Sequence, residues 1–275
     1  AERMKAALGQ TVIVDNTVGA AGSIGVGRVA RSAPDGYTVG IGHWSTHVVN
    51  GAIYDLRYDL IKDFEPVGMI ATNPQVIVSK NAAPAKDLKE LIAWIKANPD
   101  KVSAGTAGVG SASHVSGVYF QSITGTRFPF VPYRGAGPAM MELLGGQIDL
   151  MFDQAANSLP NVRAGKIRAH AVTAKTRLAA APEIPTVDEA GAKGLYIAIW
   201  HGIWVPRGTS KDAIGKLNTA IVIALADPVV RQRFADLGQE IPLREQQTPE
   251  VLAAYHKAEI EKWWPMIKAA GIKGE

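Results

Sequence analysis

The sequence predicts an α/β protein with mostly parallel sheets, organised as two lobes. Two patterns and the length carry that expectation. Short β-branched runs alternate with amphipathic stretches along almost the whole chain, the signature of strands covered by crossover helices. Residues 101–114 (KVSAGTAGVGSASH) read as a strand end, a small-residue loop and a helix start, the joint from which such folds are built. The length of 275 residues accommodates one large domain or two ordinary ones.

In chain order, residues 1–8 read as the tail of an amphipathic helix with Met4 and Leu8 inward, ended by Gly9. Residues 11–14 (TVIV) are β-branched and predict a short strand. Ser23 opens a helix through Ile24, Val26, Val29 and Ala30, and Pro34-Asp35-Gly36-Tyr37 forms a turn. Residues 38–42 predict the next strand, and 43–54 (HWSTHVVNGAIY) a loop and short helix. Residues 65–70 and 75–79 predict two strands. Leu88, Leu91, Ile92 and Ile95 lie at i, i+3, i+4 and i+7, so 87–97 is an amphipathic helix, stopped by Asn98-Pro99.

Beyond the glycine-rich joint, strands are expected at 128–133, 148–152, 168–173 and 197–205. Helices are expected from Pro138 at its first position, over 158–164, and briefly over 185–189. Three more cover 211–226, 228–237 and 249–270, with Asp227 and Thr248 as N-caps and Pro265 kinking the last. Chain crossings are expected at 76–80 and 199–205. Lobe 1 is then 1–100 with 203–275, and lobe 2 is 101–202. Ligands of such folds sit beyond the carboxyl ends of strands, here a cleft between lobes.

Composition excludes several classes. The net charge is +4, but no run of five basic residues exists, and basic residues are not interleaved with stacking aromatics, so no nucleic-acid partner is expected. There is no cysteine, hence no disulfide and no thiolate chemistry. No apolar run reaches about 18 residues, so no span of a membrane is predicted. His43 and His47 have i, i+4 spacing, but HWSTH lacks the glutamate of a zincin and a third ligand, so no metal is expected. Residues 25–30 (GVGRVA) spell G-x-G-x-x-A without an immediately preceding strand or a following acid, so no dinucleotide cofactor is expected. AGSIG at 21–25 mimics a nucleophile elbow without its strand or an HGGG-type segment. No catalytic residue is assigned, and the chain is expected not to be an enzyme. An NAD-dependent or hydrolytic α/β enzyme, and a ligand-sensing regulatory domain, remain the alternatives.

The candidate site starts at Gly108, Val109, Gly110, Ser111, Ala112, Ser113 and His114. A glycine turn feeding a helix N-terminus presents N–H groups and the positive end of the helix dipole, which suits a carboxylate or phosphate. Gly135 to Pro138 form a second tight loop, flanked by Tyr133 and Arg134, with Arg134 a candidate bidentate carboxylate partner. Asp153 ends a strand and either accepts a hydrogen bond from a ligand amine or hydroxyl or caps the helix of Asn157. His43, Trp44, Ser45 and His47 follow another strand and are expected to line the opposite wall and to select the far end of the ligand, with Trp44 placed to stack on an aromatic one.

These motifs converge on a family. VGAAGSIG at 18–25 followed by PDGYT at 34–38 resembles the signature of Bug-type solute-binding proteins, the extracytoplasmic receptors of tripartite tricarboxylate transporters. VPYRG at 131–135 with Pro138-Ala139, and LGGQID at 144–149, resemble later family segments in the same order. The resemblance implies a two-lobed periplasmic-binding-protein fold (type II, Venus flytrap) and a small carboxylate ligand. It further implies delivery to a membrane permease and a periplasmic location, and the receptor is expected to be a monomer. In the family the carboxylate is held by two strand-to-helix loops, one matching 108–114. The other follows a first strand that has no counterpart here, so an upstream strand and glycine loop are expected.

Overall fold

The computed structural model describes residues 1–17 and 19–273. Val18 of the first family-like motif lies outside the described residues, as do Gly274 and Glu275. The described residues form two compact units. Unit 1 comprises the described residues within 1–72, 200–234 and 240–273; unit 2 comprises 73–199 and 235–239. The division therefore falls at 72/73 and 199/200, not at 100/101 and 202/203. The reason lies in strand β2 (Phe64–Lys80), whose second half pairs with strands of unit 2 and takes the helix after it, α4 (Leu88–Ala97), into that unit.

Unit 1 holds α1 (Glu2–Leu8), α2 (Ser23–Ala30), β1 (Gly40–His43), α3 (Asn50–Ile53) and the first half of β2. It also holds most of β7 (Ala198–Pro206), then α8 (Lys211–Ala226), most of α9 (Pro228–Asp236) and α10 (Pro249–Ala269). Strands β1 and β7 pair antiparallel, with His43 opposite His201. One cluster packs Val67, Ile203 and Val205 against Leu217, Ile221 and Leu225 of α8, with Met4 and Leu8 of α1 at its edge. A second is aromatic: Trp44, Trp200, Trp204 and Trp263 are all buried. Thr248 caps α10, accepting from the Val251 N–H, and Asp227 caps α9.

Unit 2 contains the rest of β2, then β3 (Ala104–Thr106), α5 (Ala112–Thr124), β4 (Phe130–Pro132) and α6 (Ala136–Leu144). Next come β5 (Leu150–Gln154), α7 (Ala155–Arg163) and β6 (Ile167–Val172). The strand order is β2-β5-β3-β4, with β6 also on β2. Strands β3, β4 and β5 are parallel, whereas β2 runs antiparallel to β5 and β6. The sheet is thus mixed rather than mostly parallel. The chain passes from β3 to β4 on one side, then over β3 to β5. Right-handed crossovers therefore put α5 and α6 on opposite faces. Successive residues of β5 confirm it: Met151 packs with α6 and α7, and Phe152 packs on Phe120 of α5 with ring centroids 5.1 Å apart.

Four local expectations are corrected. Residues 11–14 form no strand; Ile13 and Val14 stand 83% and 64% exposed, because β-branching favours extended backbone but a ladder needs a partner. The two strands expected at 65–70 and 75–79 are one. Pro74 falls where β2 changes partner, from Glu240 at Thr72 to Gln154 at Gln75, so its missing N–H breaks no ladder. Residues 185–189 make a single turn, ended by Gly191 at φ 90°, rather than a helix. Helix α6 starts at Ala136, two residues before Pro138.

Candidate functional site

In unit 2 the carboxyl ends of β3, β4 and β5 deliver three loops to one end of the sheet. The helices after β3 and β4 leave to opposite faces, which opens a crevice between those two strand ends. The β3 and β4 loops touch there. The Tyr133 N–H donates to the Thr106 carbonyl at 2.9 Å, and a Cβ on Gly108 would lie 3.5 Å from the Tyr133 carbonyl. Gly108 at φ 116° and Gly110 at φ 74° hold backbone shapes that side chains resist, which is why this turn is built of glycine.

The 107–114 loop is more self-contained than a bare amide cradle. The Ala107 N–H donates to Ser113 Oγ at 2.9 Å, Gly108 N–H to Thr106 Oγ1 at 3.3 Å, and Gly110 N–H to His114 Nδ1 at 3.1 Å. The Ser111 N–H donates to the Gly108 carbonyl, and Ser111 Oγ caps the His114 N–H. Ser111 and Ser113 share a hydrogen bond of 2.9 Å. The expectation that the whole loop offers its amides is therefore corrected: at least four are already used. The N–H groups of Ala112 and Ser113 lie in the first turn of α5, where N–H groups precede any intrahelical acceptor. His114 is half-buried, its ring edge-on to Phe130, and burial lowers its pKa. Its Nδ1 accepts from Gly110, so the ring braces the loop.

Tyr133 is half-buried and Arg134 is exposed, with no ion-pair partner among the described residues. Gly135, at φ 121°, is the N-cap of α6. Asp153 is 3% exposed, and its Oδ2 accepts from Asn157 Nδ2 at 2.7 Å and Ser158 Oγ at 2.8 Å. Burial raises its pKa to about 6, against the pull of those bonds. Asp149, from the LGGQID segment, is structural, pairing with Lys80 at 2.7 Å and accepting from the Ser103 N–H.

His43, Trp44, Ser45 and His47 belong to unit 1. The expected loop is instead helical from Ser45 onward, continuing into α3. Trp44 is fully buried and edge-on to Trp263, with centroids 4.9 Å apart. His47 stacks on Trp204 at 3.9 Å, and its carbonyl bonds His256 Nε2 at 2.5 Å. These are core placements, because the helical turn rotates both rings inward. Ser45 is buried as well, and its N–H donates to His43 Nδ1 at 3.1 Å. His43 itself is half-buried, 5.8 Å from His201 between ring centroids. Among the described residues no three His, Cys, Asp or Glu side chains gather to hold a metal.

Sequence reasoning missed Asn73, Gln75 and Ser116, all buried polar residues of unit 2. The signal was present for the first two: Asn73 and Gln75 flank Pro74 between the runs VGMIA and VIV of one strand.

The model of the family described as "Tripartite tricarboxylate transporter family receptor" matches residues 1–272. The chain belongs to that family. Three solved structures resemble the receptor closely. The periplasmic binding protein BugD is 39% identical with a TM-score of 0.93, covering 100% of this chain and 92% of its own. MatC from Rhodopseudomonas palustris, solved with bound malate, is 36% identical at TM-score 0.91, covering 96% and 90%. Rpa4515 from the same organism, solved with adipate, is 32% identical at TM-score 0.93, covering 99% and 91%. The receptor therefore has the α/β fold of a type II periplasmic binding protein. It is a solute-binding receptor of that family.

Proposed function

We propose that this receptor resides in the periplasm and captures a small carboxylate for the permease of a tripartite tricarboxylate transporter. The ligand is a di- or tricarboxylate, an aromatic acid or an acidic amino acid. One carboxylate sits at the first turn of α5, on the Ala112 and Ser113 N–H groups, beside Gly108 and the Tyr133–Gly135 loop. Arg134 supplies positive charge at the rim. Trp44 and His47 act in this reading as core residues of unit 1 rather than as ligand contacts.

The observation that carries the reading is the N-terminus of α5 at the end of three parallel strands, where the Ala112 and Ser113 N–H groups have no intrahelical acceptor, the geometry that favours an anion. The malate and adipate of MatC and Rpa4515 are consistent with it. Differential scanning fluorimetry against malate, succinate, adipate, citrate, benzoate and aspartate tests it. Free ligand at about 1,000 times its dissociation constant adds about 4 kcal/mol of stability. No shift with any of these acids refutes the proposal.

A further inference from the structure

Besides Nδ1 of His170, three side chains of unit 2 carry buried polar atoms without a hydrogen-bond partner: both amide atoms of Asn73, Oε1 of Gln75, and Oγ of Ser116. Their residues are 0%, 1% and 0% exposed. Buried polar groups are normally satisfied, and each orphan costs stability, so a cluster of them asks for an occupant.

The three share one face of one sheet end. In β2, Val76 and Val78 face the α6–α7 side. Ile77 is opposite Phe152, which packs on α5. Side chains alternate along a strand, so Gln75 and Asn73 face the α5 side as well. Gln75 is also opposite Gln154, the last residue of β5. Ser116 lies in α5 one turn beyond Ser113, whose Oγ caps the loop. Strands β3 and β5 run parallel, with Gly105 beside Met151, and β3 ends at Thr106, so the Gly108 turn leaves the sheet at the end where Gln154 stands. β5 lies between β2 and β3, so Gln75 and the end of β3 are two strand spacings apart across the sheet, about 10 Å. A small acid held at α5 plus a glutamine side chain spans that distance.

We propose that Asn73, Gln75 and Ser116 form a second recognition site that reads a hydrogen-bond donor on the ligand, a hydroxyl or ammonium group next to the carboxylate chain. The inference rests on the carboxylate reading above and adds selectivity to it. The chemistry decides the class. The orphan of Gln75 is an acceptor, and Asn73 and Ser116 can each accept and donate. An ionised carboxylate only accepts and would leave Gln75 Oε1 unmet. A hydroxy acid or amino acid supplies the missing proton, whereas the unsubstituted diacid leaves these groups unpaired.

The test is calorimetric titration of wild type, Gln75→Met and Asn73→Leu with L-malate, L-aspartate and succinate, plus melting of each protein without ligand. Wild type should prefer malate or aspartate to succinate by about 10- to 100-fold. Gln75→Met should erase that preference, leave succinate affinity unchanged, and melt no lower than wild type, because an apolar isostere replaces an orphan. Wild type preferring the substituted acids with an unchanged ratio in Gln75→Met overturns the inference and leaves the carboxylate reading standing. Equal binding of all three acids by wild type also overturns the inference alone. A lower melting temperature in ligand-free Gln75→Met with an unaltered ratio means the groups hold only structural water, and overturns it too. No binding of any acid by wild type overturns both. Asn73→Leu repeats the readout should Gln75→Met fail to fold.

Discussion

Asp153→Asn should stabilise the receptor at neutral pH. The Asp153 carboxyl is 3% exposed, and burial raises its pKa from 3.8 to about 6. The folded state therefore holds the proton more tightly than the unfolded chain. Whatever this group contributes is fully present below pH 3.8 and is lost as pH rises through 6. At pH 7.5 the ionised form is less stable in the fold than in water by the whole shift, about 3 kcal/mol at about 1.4 kcal/mol per unit. Asparagine removes that charge at nearly constant shape. Both side-chain bonds from Asn157 and Ser158 end on Oδ2, so a single amide oxygen keeps them. Urea unfolding should show the variant about 1–3 kcal/mol more stable at pH 7.5. At pH 4 the difference should vanish. A variant less stable at pH 7.5, or equally shifted at both pH values, refutes the reasoning.

Acid should weaken the fold through its histidines. Burial and the neighbouring Arg168 charge lower the His170 pKa from 6.5 to about 4, while Ser79 Oγ lies 2.7 Å from its Nε2. The unfolded chain binds a proton that the fold refuses, so stability drops as pH falls from 6.5 towards 4, about 2 kcal/mol at pH 5 from this residue alone. His170→Gln should lose correspondingly less between pH 7.5 and pH 5; an identical loss counts against the account. In unit 1, burial lowers the pKa of His43, His47, His201 and His256, so the same window should show further loss there. Gly42→Ala would drive a Cβ into the His47 imidazole, a ring already stacked on Trp204. Overpacking of that kind costs about 1–3 kcal/mol, and an unchanged melting temperature would contradict it. Ser113→Ala removes the acceptor of the Ala107 N–H and should weaken carboxylate binding about 10-fold with circular dichroism unchanged. Titration with unaltered affinity would remove the 107–113 loop from the site.

Much of unit 2 was legible because its signals are local. Leu88, Leu91 and Ile95 are buried on one face of α4, as their spacing dictates, and Asp87 caps it. The glycines of the 107–110 turn and the serine that opens α5 fixed that joint before any contact was known. Less legible were the partners of each amide, since the bond from Ala107 to Ser113 depends on how the turn closes. The side-chain role of His114 was open for the same reason.

By itself the chain determined its periodic elements, its glycine turns and its family, because each is written in neighbouring residues. Tertiary structure decided the rest. It joined two expected strands through Pro74, left Ile13 and Val14 without a ladder, and turned Trp44 and His47 into a core. Strand pairing and burial depend on residues far apart in sequence: Gln75 meets Gln154, and His47 meets His256, only after the backbone has folded.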